Sequence, residues 1–254
     1  MRPDVLAMHK FYQTPMGAAA SQLIHRCLDP LWSNKSTPIY GLGYALPYLE
    51  LEEANDGEAR TGQNQFALMP AAQGVFHWPS LSASSTVLVD EYHLPIADSS
   101  LERMLVVHAV EHSDRPAHLF REIWRTLAPG GQVIVVAPNR RRTWSALDTT
   151  PFGHGQPYSR NQLSRLMADQ MLPAERWDTA LMVPPLFWPG TAKLMRGMES
   201  SLHSLGKNMG GVLVVSARKQ VYGTLLETKA KPKAQPVFTG LPRDSVRRAH
   251  KRDE

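Results

Sequence analysis

Residues 86–139 read TVLVDEYHLPIADSSLERMLVVHAVEHSDRPAHLFREIWRTLAPGGQVIVVAPN. Thr86–Val89 is a short β-branched run closed by Asp90, which predicts a buried strand with a carboxylate at its carboxyl end. Leu94-Pro95 turns the chain, and Asp98-Ser99-Ser100 makes a polar corner before a second apolar run over 104–109. A helix follows. Ser113 or Asp114 is placed to cap it and Pro116 suits its first turn. Leu119, Phe120, Ile123, Trp124 and Leu127 then repeat with helical spacing on one face. Pro129-Gly130-Gly131 stops that helix, and 132–137 is an apolar run without alternation, the pattern of a strand covered on both faces. Strand, strand, helix and strand joined by such short links predict an open, mostly parallel α/β sheet.

Length and composition set the scale. The 254 residues suit one domain of moderate size with appendages, and 43% are apolar, enough for a sizeable core. No apolar run approaches the roughly 20 residues that span a bilayer. The opening residues, MRPDVLAMHKFYQ, lack the apolar core of a signal peptide, which sets a cytoplasmic expectation. The single cysteine, Cys27, excludes an internal disulfide and any cysteine-rich metal site; on a helical apolar face it reads as core packing. A sequence pI near 9.4 invites a nucleic-acid reading. However, residues 229–254 hold eight Lys/Arg and three acids. Taking these from the 28 basic and 23 acidic residues of the chain leaves twenty of each in residues 1–228. The charge excess belongs to the tail, which argues against nucleic acid as the partner of the folded body.

Taken in order, the stretch resembles the central half of class I S-adenosylmethionine-dependent methyltransferases of the methyltransferase type 11 kind. That family has a strand ending in an acid, a Leu-Pro turn, an Asp-Ser corner, a strand leading to a His-x-Leu-Glu-His-like segment, and a helix ending in Leu-x-Pro-Gly-Gly. Here those pieces are Asp90-Glu91, Leu94-Pro95-Ile96, Asp98-Ser99-Ser100, His108-Ala109-Val110-Glu111-His112 and Leu127-Ala128-Pro129-Gly130-Gly131. The resemblance implies a Rossmann-like open sheet, mostly parallel with a C-terminal antiparallel strand and helices on both faces. Three segments follow from it: 1–35 as an N-terminal helical segment, 36–222 as the methyltransferase domain, and 223–254 as a basic flexible tail.

The resemblance also assigns a cofactor site for S-adenosylmethionine. Residues 38–49, PIYGLGYALPYL, stand where the family has its first strand and glycine loop, so Gly41 and Gly43 take the backbone-approach positions. The family's acid in that loop is replaced by Gly41, and Ala45 and Pro47 replace its later glycines. The candidate second strand ends at Met69, where the family carries the acid that receives the ribose; Gln73 and Trp78 are possible replacements. Asp90 matches the acid that accepts from the adenine amino group, and the amide of Glu91 matches the one that reaches a ring nitrogen. A purely structural role for Asp90, capping the Leu94-Pro95 turn, is the other reading. His108 is expected at the cofactor. His112 reads either as a proton acceptor near the substrate or as a structural hydrogen-bond partner of the next helix. With His154 and Tyr158 it completes the candidate catalytic residues.

His108-Ala109-Val110-Glu111-His112 also fits the His-x-x-Glu-His signature of inverted zincins, whose chemistry needs both histidines one turn apart on a single helix. Here LERMLVV before it reads as strand and helix signals begin only after His112, so the expectation is no metal. Elsewhere, residues 1–32 read as helix with a start at Thr14-Pro15, and 139–159 as a long loop carrying Arg140, Arg141 and Arg142. Ser159 opens a capped helix, 175–183 and 211–216 form a closing strand pair, and a Met-rich helix lies near 194–198. The function that follows is methyl transfer from S-adenosylmethionine to an unknown substrate, with a small-molecule substrate or a protein as partner. The alternative is a catalytically silent, methyltransferase-like subunit that serves a protein partner.

Overall fold

The computed structural model describes residues 3–34, 36–49, 51–53, 59–61, 65–81, 84–184 and 210–221; over 51–53 and 59–61 only backbone is described. The described residues all fall within one compact unit. The expected tail and the helix near 194–198 lie outside the described residues.

The chain opens with α1 (Val5–Gln13) and α2 (Pro15–Leu28). Asp4 caps α1, its Oδ1 accepting from the Ala7 amide at 2.7 Å. Thr14 caps α2, its Oγ1 accepting from Gly17 N at 3.0 Å, with Pro15 in the first turn. The helical reading of 1–32 therefore resolves into two helices, broken where Thr14 is extended ahead of a proline. A Cβ on Gly17 would stand 2.1 Å from the Phe11 carbonyl oxygen, so glycine lets the second helix fold back closely on the first.

The strands are β1 (Ile39–Gly43), β2 (Leu51–Glu53), β3 (Ala59–Thr61), β4 (Gln65–Pro70), β5 (Thr86–Val89), β6 (Leu101–Val107), β7 (Leu127–Pro138), β8 (Ala174–Ala180) and β9 (Val212–Arg218). Helix α3 (Pro116–Thr126) precedes β7, and α4 (Arg160–Ala168) precedes β8. Seven strands form one sheet in the order β5-β4-β1-β6-β7-β9-β8. All pairings are parallel except those of β9, which runs antiparallel to both neighbours. This is the mostly parallel open sheet expected, with the closing pair in place. The antiparallel ribbon of β2 and β3 is additional.

Alternate residues of the central strands feed two cores. Met69, Leu105, Val107, Ile134, Val136 and Val214 pack under α1 and α2 on one face; Leu68, Met104, Val106, Val133, Val135 and Val215 pack with α3 and α4 on the other. The unalternating apolar runs of β6 and β7 have this origin. Two local expectations change. Thr86–Val89 is an edge strand rather than a buried one: Val87 is 45% and Leu88 51% exposed. Helix α3 has neither Ser113 nor Asp114 as its cap; Arg115 takes that position without a side-chain bond, and Pro116 in the first turn sets the helical start. The capping box at Ser159 and Gln162 forms as read.

Candidate functional site

The loops leaving β1, β4, β5 and β6 meet at the carboxyl edge of the sheet, where the chain changes direction across it and ligands of such folds bind. At the centre of that edge is His108. It follows the last residue of β6 and has φ +52, in the left-handed region. Its side chain is fully buried, with Nδ1 3.0 Å from Glu111 Oε1 and Nε2 2.8 Å from the Tyr12 hydroxyl. The Tyr12 hydroxyl lies 3.1 Å from that of Tyr48, and His9 Nδ1 is 3.3 Å from the Tyr44 hydroxyl. Gln73, from the turn after β4, donates its Nε2 to the His108 carbonyl. The Gln73 carbonyl accepts from Val5 N at 2.9 Å. Helix α1 is thereby tied across the edge by Val5, His9 and Tyr12.

Electrostatics follow from burial. Loss of solvent pushes the phenols of Tyr12, Tyr44 and Tyr48 up, so all three keep their protons. Burial also pushes Glu111 up, but the hydrogen bond from His108 and the fields of His108 and His112 outweigh it and hold the carboxyl below its usual range. In the neutral tautomer that has its ring proton on Nδ1, His108 donates to Glu111 and its Nε2 accepts from Tyr12. The geometry is a chain of hydroxyl, imidazole and carboxylate.

The residues singled out from the sequence fall into distinct settings. Gly43 has φ +88, and a Cβ on it would stand 2.1 Å from the Val107 carbonyl oxygen; on Gly41 it would stand 2.6 Å from Ala45 Cβ. Both glycines are filled against protein. Met69 is 1% exposed and its Sδ accepts from Phe76 N at 3.2 Å. Asp90 is exposed and closes its own turn, accepting from Tyr92 N at 2.9 Å and pairing with His93 Nδ1 at 2.9 Å; these contacts, His93 first, lower its pKa. Glu91 is buried. Tyr158 is buried, donates to the Val110 carbonyl at 3.4 Å, and burial pushes its phenol up to about 12, so it holds its proton. His154 is half-buried in the loop after a turn at Pro151–Gly153. His112 lines a cavity of about 590 Å³ with Glu111, Ala72, Ser113, Asp114, Gly155 and Gln156.

His108 and His112 thus converge with Glu111, and Tyr158 borders that cluster through the Val110 carbonyl; exposed Asp90 closes its own turn instead. The sequence reading missed Tyr12, Tyr44 and Tyr48, and placed Gln73 only as a ribose substitute. Aromatic residues at 12, 44 and 48 look like ordinary core on a helix and a turn, so no local signal marks them.

Residues 43–135 match a family model described as a methyltransferase domain. Among solved structures of like fold is a SAM-dependent methyltransferase, possible histamine N-methyltransferase, from Thermotoga maritima. It is 16% identical, with 85% of this chain and 96% of that chain covered, at a TM-score of 0.54. A SAM-dependent methyltransferase from Archaeoglobus fulgidus is 13% identical over 84% of this chain and 98% of that one, at 0.51. Geranyl diphosphate C-methyltransferase from Streptomyces coelicolor A3(2), solved with Mg²⁺, geranyl diphosphate and S-adenosyl-L-homocysteine, is 14% identical over 78% and 77%, also at 0.51. At these identities the likeness is one of fold. No curated protein matches the chain in sequence.

Proposed function

We propose that the chain is a class I S-adenosylmethionine-dependent methyltransferase, a reading supported by the methyltransferase-domain match over residues 43–135, and that its cofactor cleft is held shut by α1. The observation that carries this reading is the position of α1, tied by Val5, His9 and Tyr12 across the carboxyl edge where the family places its cofactor. Cofactor binding in the Streptomyces enzyme of like fold supports the same choice of ligand. A small molecule reaching the cavity beside His112 is the acceptor this reading implies.

As they stand, the residues do not accommodate the cofactor. Gly43 faces a carbonyl rather than open space, Met69 offers a thioether where a ribose needs a carboxylate, and Gln73 crosses from the β4 turn to His108. The edge must open first. The ties are a few hydrogen bonds, each worth about 0.5–1.5 kcal/mol net, together with the burial of Val5, Met8 and Tyr12 in the core, so opening costs more than the hydrogen bonds alone.

A second reading, the silent subunit serving a protein partner, is favoured by one specific observation: no carboxylate stands at Gly41 or Met69, and the apolar replacement at 69 is packed into the core. Titrating full-length protein with S-adenosylmethionine by calorimetry separates the two. The enzyme reading expects weak binding in the wild type and tighter binding in Gln73→Ala, which releases the crossing side chain. It also expects Asp90→Ala to weaken binding about ten- to a hundredfold. No heat at millimolar cofactor in wild type, Gln73→Ala or Met69→Asp sinks it in favour of the silent subunit.

A further inference from the structure

The His-x-x-Glu-His segment does not lie on an α-helix, which removes the usual way its side chains share a metal. The fold assembles them differently. β6 ends at Val107, His108 turns through the left-handed region, and Val110–His112 winds a single 3-10 turn. Both imidazoles and the carboxylate are thereby turned to one side of the backbone. One ligand atom from each of His108, Glu111 and His112 lies within 4.8 Å of the others, and the residues are 0%, 2% and 6% exposed.

We propose that His108, Glu111 and His112 bind a divalent first-row metal ion of the zinc type, with its open coordination position facing the cavity beside His112. Three independent features carry this. First, the donor set is two imidazoles and one carboxylate, the borderline set that suits zinc when a fourth position is left for water or another oxygen ligand. Second, Glu111 Oε2 is buried and has no hydrogen-bond partner among the described residues. A buried carboxylate oxygen without a donor is costly, and a cation held between Glu111 and the two rings satisfies it. Third, the ligand ring already has a supporting partner. The Tyr12 hydroxyl on His108 Nε2 orients the imidazole, as partners of metal-bound histidines do.

The proton balance closes without any co-reactant. In the Nδ1-protonated tautomer of His108, the metal-free network has the ring proton facing Glu111. When Nδ1 binds the ion, that proton moves to Nε2 and is donated to Tyr12, which turns its own proton toward the Tyr48 hydroxyl 3.1 Å away. No net proton leaves the ring. The spread of 4.8 Å must shrink to roughly 3.4 Å, the edge of a tetrahedron with metal–nitrogen bonds of about 2.0–2.1 Å. Glu111 and His112 both border the cavity, and the proposal requires their side chains to draw together by that amount. The cavity wall, with Ser113, Asp114, Gly155 and Gln156, leaves the fourth position accessible.

The test uses the full chain, stripped of metal by dialysis against chelator and titrated with zinc chloride, then with cobalt chloride while the visible spectrum is read. The expected result is one equivalent bound, four-coordinate ligand-field bands with cobalt, and a rise in melting temperature with zinc. His112→Ala and Glu111→Gln should each weaken binding at least about tenfold, since loss of even a supporting partner costs that much. His93→Ala, which removes the exposed imidazole paired with Asp90, should change nothing. Sub-stoichiometric binding with no thermal shift in the wild type overturns the proposal, whether or not the variants fold. So does one-equivalent binding that His112→Ala leaves intact. None of these readouts involves the methyl donor, so failure here and failure of the methyltransferase reading are separate outcomes.

Discussion

Gly43 shows how one residue can satisfy two different arguments. Its position suggests a backbone kept bare for a ligand, yet the structure presses it against the next strand. Its φ is +88, and a Cβ here would stand only 2.1 Å from the Val107 carbonyl oxygen. Gly43→Ala therefore meets a left-handed backbone costing about 1–2 kcal/mol, plus a backbone clash that only a shift of β1 against β6 relieves. A fall in melting temperature of several degrees, without any ligand present, is the expected outcome. An unchanged melt would show that this edge is looser than its packing implies. Asp90 makes the complementary point. A carboxylate that accepts from its own turn at Tyr92 and pairs with His93 has a structural role already, the alternative read from the sequence, and its exposed oxygens remain reachable by a ligand.

At the scale of elements, α3 is locked to the loop after β5 by one arginine. Arg125 donates to both Glu122 oxygens, at 2.9 and 2.6 Å, and to the carbonyls of Ile96 and Leu94 at 2.9 and 3.0 Å; it also pairs with Asp98. Glu122 in turn accepts from Leu94 N at 2.6 Å and is nearly buried. Removing the guanidinium leaves that carboxylate without its cation, with the Leu94 amide still donating to it. Arg125→Ala should destabilise the fold by about 2 kcal/mol, less than a fully buried pair because the Arg125 side chain is 31% exposed. Urea unfolding measures this directly, and a loss under a few tenths of a kcal/mol would mean the cluster is screened by solvent. The elements themselves were largely legible. β1, β4, β5 and β6 stand where periodicity and turn residues put them; α3 ends one residue earlier than its apolar repeat suggests, and β7 already begins at Leu127, so Pro129-Gly130-Gly131 lies within the strand. The ribbon of β2 and β3 was not seen, because three-residue strands are too short to show a period.

At the scale of the whole molecule, charge is divided by sequence position. The body over 1–228 holds equal numbers of basic and acidic residues, and 229–254 holds the entire excess. A chain ending at residue 228 should lose its retention on a cation exchanger at neutral pH while keeping its melting temperature, and retention of the full chain should fall steeply with salt. Retention that survives the truncation would place a basic patch on the body itself. Among the described residues no helix is long and apolar enough to cross a membrane.

What the sequence by itself determined is the sheet. Strand positions, the helix between β6 and β7 and the capped helix at Ser159 follow from periodicity, turn chemistry and capping, which act over a few neighbouring residues; the antiparallel sense of the closing pair came from the family resemblance. What only the tertiary structure decided is the state of the carboxyl edge. Tyr12 meets His108 across 96 positions of sequence and Gln73 meets it across 35. No local pattern encodes such pairs, because they exist only once α1 and the β4 turn have packed on the same edge. The convergence of His108, Glu111 and His112 belongs to the same class. The sequence marks only where the strand before these five residues ends; a left-handed residue followed by a 3-10 turn, with His108 buried against Tyr12 of α1, is what turns their donors toward one another.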